Sequence, residues 1–309
     1  MSFTETCLDK ISRVTQNPGL WYSGKRIWRF LLKLLYSLGL YHIPDFSLLN
    51  NWDGKASLHL RKGEFTTRRL WFLGYVKYDE QYFLRCFVRP GMTVIDVGAN
   101  IGVISITCGL RVGSYGSVHC FEPISSTFEF LIKNINTNGL EETVSANKLA
   151  VSNKTGDIVK LVYCDKHSDL SHLSMDESER TRDYEIEYEE VATISLEDYV
   201  KSKNIKKVDF LKIDVEGAEL LVIEGAKNIF KTHRPSVLCE FNCKALRVLG
   251  GSSNKLWDKW MDYGYSFFDY NHRRRTLTRC KTAPQEGAPT YVGTTNPEEL
   301  AVHIGARIL

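Results

Sequence analysis

Asp96-Val97-Gly98-Ala99-Asn100-Ile101-Gly102 decides the fold of this chain. The apolar run Thr93-Val94-Ile95 precedes it and Val103-Ile104-Ser105-Ile106 follows it, so the order predicts a strand, a tight glycine turn and a helix. Glycine permits backbone conformations that a side chain forbids and lets a ligand approach closely. The next strand-like run, Ser117-Val118-His119-Cys120-Phe121, ends in Glu122. An acid at that point can accept hydrogen bonds from a ribose diol. Together these features predict a nucleoside site at the end of a parallel sheet.

The turn lacks the dinucleotide pattern G-x-G-x-x-G. Counted from Gly98, Asn100 and Val103 stand where glycines are needed. The phosphate-cradling pattern G-x-x-x-x-G-K-[ST] is also missing. Asp96, just ahead of the first glycine, suits a cationic or amine-bearing ligand better than a phosphate. S-adenosylmethionine meets that description, because its methionine end carries an ammonium beside a sulfonium. A tight turn with no ligand is the competing reading.

Working outward, residues 1–90 read as a helical N-terminal extension. Its 21–41 stretch is aromatic and basic, with Lys25, Arg26, Arg29 and Lys33. It is interrupted by Lys33 and too short to span a bilayer, which takes about 20 apolar residues. Such a helix suits peripheral membrane contact; packing on the rest of the chain or on a second copy in a homo-oligomer is the alternative. Asn50-Asn51-Trp52-Asp53-Gly54 reads as a turn, and a second helix over 79–88 ends at Pro90-Gly91.

Residues 91–309 alternate strand and helix. Strands are expected at 93–97, 117–121, 143–151, 208–213 and 235–241. The third continues through a hairpin at Gly156 to 158–163. Residues 165–183 read as a polar loop or lid, and 184–191 as an edge strand. Helices are expected from 102, from Ser126 with a Ser126-x-x-Glu129 capping box, over 195–202, over 218–230 and over 253–263. Strands at 265–270 and within 275–293 complete the domain. The alternation predicts an α/β fold: a doubly wound, mostly parallel sheet, helices on both faces and an antiparallel edge.

The chain has 309 residues and a formal net charge of +3, too small to argue for a nucleic-acid partner. None of its eight cysteines forms C-x-x-C, and the polar segment 1–10 does not resemble a secretory signal. A reduced, cytoplasmic protein is expected.

Ligands on open α/β sheets bind beyond the carboxyl ends of the strands. Asp96, Glu122, Asp214 and Glu240 stand at such ends. Asp96 and Glu122 are expected to hold the cofactor, and Asp214 and Glu240 to flank the reacting centre. A hydroxyl nucleophile needs a general base, for which Asp214, Glu216 and Glu240 are the candidates. A divalent cation such as Mg2+, held by Asp214, Glu240 and Asn242, is the alternative. Glu216 and Glu219 also suit the positive end of a helix dipole, with no catalytic role. His167, His172, His233 and His272 lack metal-ligand spacing, His119 reads as a core residue, and Arg273-Arg274-Arg275 as a solvated hairpin.

Asp96 to Gly102, Phe121-Glu122-Pro123, the block Lys212 to Glu219 and Glu240-Phe241 occur in that order. The series resembles the FkbM family of S-adenosylmethionine-dependent methyltransferases over roughly residues 90–245. The resemblance implies a class I methyltransferase fold. It implies O-methylation of a sugar or glycan hydroxyl, or of a polyketide or lipid-like natural product. It further implies that Asp96, Gly98, Ala99, Asn100 and Gly102 surround the methionine and ribose portions of the cofactor. Glu122 and Pro123 would stand at the ribose, and the adenine near Ala150-Val151-Ser152. A non-catalytic nucleoside-binding scaffold on the same fold is the reading from a different class.

Overall fold

The computed structural model describes residues 34–35, 37–39, 46–61, 65–164, 167–173 and 186–309. Strands β1 (Phe46–Trp52) and β2 (Ala56–Arg61) form an antiparallel hairpin, followed by helices α1 (Phe65–Leu73) and α2 (Tyr78–Phe87). Alternation then begins: β3 (Thr93–Val97), α3 (Val103–Val112), β4 (Ser117–Phe121), α4 (Ser125–Thr137) and β5 (Val144–Asn147). A small sheet follows, made of β6 (Ala150–Val151), β7 (Ile158–Cys164), β8 (His167–Leu173) and β9 (Ile186–Ile194). Helix α5 (Leu196–Ser202) leads to β10 (Phe210–Ile213), α6 (Glu219–Glu224), β11 (Ser236–Glu240), α7 (Cys243–Val248) and α8 (Ser253–Asp262). The chain closes with β12 (Ser266–Asn271), β13 (Thr276–Arg279), β14 (Thr290–Thr294), α9 (Pro297–Ile304) and β15 (Arg307–Ile308).

The main sheet runs β15-β13-β12-β14-β11-β10-β3-β4-β5. Strands from β5 to β11 pair in parallel, and β14 enters antiparallel between β11 and β12. The chain starts this sheet at its middle, winds outward to β5, then crosses back to β10. The loops after β3 and β10 therefore diverge over two adjacent strands. That switch point opens a crevice at the carboxyl ends, where such sheets bind ligands.

Strand periodicity fills a core on each face. Val94, Val118, Phe210 and Leu238 point to the side covered by α2, α3, α4 and the β1–β2 hairpin. Ile95, Phe121, Leu211 and Val237 point to the other, against α5, α6 and α8. Segment 46–88 thus shares a core with the sheet. Its hairpin turn is fixed by the buried Asp53 carboxylate, 2.6 Å from Arg85 on α2 and 2.6 Å from Arg111 on α3.

The structure departs from the expected elements in several places. Residues 46–61 form a hairpin, with its turn at 53–55, where only a turn was expected within a helical extension. Strand 143–151 is two strands. The chain leaves the main sheet at Lys148-Leu149, and β6 pairs in parallel with β9. The expected hairpin through Gly156 is absent among the described residues; β7 pairs antiparallel with β8 and β9 instead. Strand β8 takes up part of the expected loop, whose residues 165–166 and 174–183 lie outside the described residues. Helix α4 has Ile124 as N-cap and no side-chain cap, so Ser126-x-x-Glu129 is not a capping box. Most of 21–41 also lies outside the described residues, and Leu34, Leu35 and Ser37 are helical. No described helix is long and apolar enough to cross a membrane.

Candidate active site

The turn after β3 is shaped by its neighbours. Gly98 has φ 78°, and a Cβ there would lie 1.9 Å from the Asp214 carbonyl oxygen, so only glycine fits. The Gly98 and Ala99 amides both donate to the Phe121 carbonyl, at 3.0 and 2.9 Å. Asn100, also at positive φ, donates its amide to Glu122 Oε2 at 2.9 Å. Glu122 Oε1 accepts from the Ile124 amide at 3.1 Å. The Glu122 carboxylate therefore bridges the turn and the end of its own strand. Burial pushes its pKa up to about 7, against the two backbone hydrogen bonds.

Two expected cofactor residues do not reach the cleft wall. Asp96 is fully buried beneath the turn, where Oδ2 accepts from Ser105 at 2.6 Å and Oδ1 lies 3.5 Å from Lys212 Nζ. Its carboxylate serves the protein interior. Gly102 faces α4: a Cβ there would meet Leu131 Cδ1 at 2.7 Å. Gly98, Ala99, Asn100, Glu122 and Pro123 do line the cleft, as do Ala150, Val151 and Ser152.

Across from Glu122, the loop after β10 and the end of β11 bring three acids together. One carboxylate oxygen each from Asp214, Glu216 and Glu240 lies within 4.8 Å of the others. Burial would raise Asp214, but Lys212 and Lys77 overcome it and hold it below the usual range. Burial and the Asp214 charge push Glu216 up to about 8 and Glu240 up to about 9. Glu219 turns away. It is fully buried, with Oε1 accepting from the Val215 and Gly217 amides, both at 3.2 Å, so it braces the loop before α6. Asn242 also differs from expectation. Its Nδ2 donates to Glu216 Oε2 at 2.7 Å and its Oδ1 caps α7 through the Ala245 amide at 3.1 Å. With that oxygen engaged, Asn242 does not complete a cation site with Asp214 and Glu240.

The sequence reading missed two lysines and a glutamine. Lys212 is buried within β10; its ammonium donates to the Val97 and Gly98 carbonyls at 3.2 and 2.5 Å. Lys77, the N-cap of α2, donates to Glu240 Oε1 at 2.7 Å and to Thr290 Oγ1 at 3.0 Å. Burial would lower both lysines, and the surrounding carboxylates, Asp214 first, raise them instead. Gln81, one helical turn beyond Lys77, lines the cleft at 2% exposure, and its amide has no hydrogen-bond partner among the described residues. Neither has Glu240 Oε2. Of the three, only Lys212 carried a local signal that could have been read: a charge within Phe210-Leu211-Lys212-Ile213 demands a buried partner. His119, expected in the core, is half-buried, 3.0 Å from the Tyr199 hydroxyl, and burial pushes its pKa down to about 4.

The cleft encloses about 410 Å³, within the roughly 300–1,000 Å³ of small-molecule sites. It is apolar at the Ile124, Leu149 and Leu161 end and charged at the Asp214 end. Among the described residues each Glu122 oxygen accepts one hydrogen bond, and a carboxylate oxygen has a second lone pair to offer a ribose hydroxyl. The residues present therefore fit a nucleoside carrying a cationic tail. They fit a divalent cation poorly, because the Lys77 ammonium already binds Glu240 at 2.7 Å and lies 3.7 Å from Asp214.

A family model described as the methyltransferase FkbM domain matches residues 96–267. The chain is 29% identical over 137 residues to the hexuronic acid methyltransferase AglP of Haloferax volcanii, covering 44% of this chain and 51% of that protein. It is 28% identical over 179 residues to the 31-O-demethyl-FK506 methyltransferase FkbM of Streptomyces tacrolimicus, covering 49% and 68%. The chain thus spans about half the length of the first relative. Among solved structures, a SAM-dependent O-methyltransferase from Thermotoga maritima aligns at 13% identity and a TM-score of 0.39, covering 84% of this chain and 80% of that one.

Proposed function

Because the chain belongs to the FkbM methyltransferase domain family, whose model covers more than half of it, we propose that it is an S-adenosylmethionine-dependent O-methyltransferase acting on a hydroxyl of a sugar or glycan intermediate. The observation that carries this reading is a single cleft lined on one side by Glu122 and on the other by Asp214 and Glu240.

Glu122 would hold the ribose hydroxyls, the turn 98–100 the methionine portion, and 149–152 the adenine. When bound, the cofactor supplies an electrophilic methyl group on a sulfonium. The chain's own residues align the acceptor and move its proton. Alignment contributes about 7–11 kcal/mol in well-oriented reactions. Asp214 is the base, since of the three clustered acids only its pKa is held low. A carboxylate is too weak to deprotonate an alcohol in advance, so the proton passes to Asp214 as the new C–O bond forms. Glu216 and Glu240, whose pKa values burial and the Asp214 charge raise, stand beside it to hydrogen-bond the acceptor.

The Gln81 amide, without a partner among the described residues, favours an acceptor with several hydroxyls, because a buried polar group without a partner is unfavourable. The relative from Streptomyces favours the second reading, a polyketide or lipid-like hydroxyl. Calorimetry with S-adenosylhomocysteine tests the cofactor site: heat of binding is expected, and its absence in folded protein removes the proposal. Transfer of label from methyl-labelled cofactor to a panel of glycosides and macrolides then separates the acceptor classes.

A further inference from the structure

We infer that Lys77 is the resident cation of the acceptor end of the cleft: its ammonium stands where a divalent metal would otherwise neutralise Asp214, Glu216 and Glu240, and it makes the site metal-independent. The inference deepens the methyltransferase reading and rests on it. Four oxygens from separate elements surround the ammonium. Glu240 Oε1 at the end of β11 is 2.7 Å away and Thr290 Oγ1 on β14 is 3.0 Å away. Glu80 Oε1 on α2 is 3.4 Å away, and Asp214 Oδ2 after β10 is 3.7 Å away. An ammonium has three donors and no acceptor, so this oxygen shell uses it fully.

The same atoms exclude a metal. Magnesium requires near-octahedral oxygen ligands at about 2.0–2.1 Å. Here Glu240 Oε1 is engaged by Lys77, and a second ammonium, Lys212, lies 3.8 Å from the same Asp214 Oδ2 that Lys77 approaches. A dication entering the cluster would meet both. Lys77 is held firmly because α2 is anchored at two points. Phe83 and Phe87 lie in the core and stack on each other at 5.3 Å, and Arg85 pairs with buried Asp53. Lys77 is thus a positioning residue: it sets the separation of Asp214 and Glu240 and ties the segment before the first core strand to the chemistry.

Manganese is the probe. Mn2+ is titrated into the full chain, its free-ion electron paramagnetic resonance signal is followed, and S-adenosylhomocysteine calorimetry and thermal unfolding are run on every variant. Wild type and K77R are expected to leave millimolar Mn2+ free, and wild-type methyl transfer to be indifferent to EDTA. K77M is expected to bind one Mn2+, and K77M/D214N to lose it. Stoichiometric Mn2+ binding by wild type that D214N abolishes would overturn the inference. So would a K77M protein that unfolds cooperatively and binds S-adenosylhomocysteine yet takes up no Mn2+. If K77M does not fold, K77Q takes its place, and the wild-type arms stand alone. A wild type that gives no heat with S-adenosylhomocysteine defeats the methyltransferase reading instead, and leaves the Mn2+ result to judge Lys77 separately.

Discussion

The Lys212 ammonium donates to the Gly98 carbonyl at 2.5 Å. The same nitrogen lies 3.5 Å from Asp96 and 3.8 Å from Asp214. One buried charge therefore joins the cofactor turn after β3 to the proposed base after β10, across the switch point of the sheet. Replacing it with methionine leaves the buried Asp96 carboxylate without its cation and Asp214 with Lys77 alone. Removing one partner of a buried pair costs about 3–5 kcal/mol. K212M is expected to unfold well below wild type in a thermal scan. An unchanged midpoint would show that the ammonium carries no structural charge compensation.

Glu122 is expected to set cofactor affinity in two ways. E122A leaves the Asn100 and Ile124 amides without their acceptor. That costs stability, about 1–3 kcal/mol per buried unpaired donor, and the ribose loses a charged acceptor worth about 1.5–3 kcal/mol, so S-adenosylhomocysteine should bind at least several-fold more weakly. The pH dependence follows from the raised pKa of about 7. Ribose hydroxyls donate better to the ionised carboxylate, so wild-type Kd should fall as pH rises through about 7. E122Q should flatten that slope. Equal slopes in the two proteins would remove Glu122 from the ribose.

Much of this site was legible because its parts repeat simple local patterns. The runs at 93–97, 117–121 and 236–240 alternate between two faces, and each has an acid at or within one residue of its carboxyl end. What was not legible came from distant pairings. Lys77 meets Glu240 across 163 positions, and Lys77-Tyr78-Asp79-Glu80 reads locally as an ordinary solvated helix start. The break at Lys148-Leu149 is invisible because β6 finds its partner in β9, beyond segment 174–185. Asp96 and Gly102 were placed by motif, and motif spacing does not say which turn residues face the ligand. Asp96 is under the turn because β10 presents Lys212 to it from the adjacent register position.

Asp214 is expected to matter for turnover and not for cofactor binding. D214N removes the proton acceptor while keeping the side chain's shape. A positioned base contributes about 10²–10⁴-fold, and kcat should fall within that range. Calorimetric affinity for S-adenosylhomocysteine should stay near wild type, because the nucleoside end of the cleft is built from other residues. Turnover at the parent rate would exclude Asp214 as the base.

Stability should fall as pH rises through the window set by buried carboxyls, and Glu219 isolates the effect. It is fully buried, its Oε2 has no partner among the described residues, and burial pushes its pKa from 4.5 up to about 7. Between those values the folded protein binds more protons than the unfolded chain, so folding is favoured at the acid end. The contribution is fully present below 4.5 and lost above about 7. One pKa unit corresponds to about 1.4 kcal/mol, so the loss is roughly 3 kcal/mol at most. His119, lowered to about 4, opposes this by gaining stability up to its ordinary 6.5. Subtracting the denaturation free energies of wild type and E219Q at each pH cancels that term. Glutamine keeps an oxygen for the Val215 and Gly217 amides and cannot titrate. The difference should shift against wild type from pH 4.5 to 7 and then level off; a flat difference would mean that Glu219 does not hold a proton in the folded state.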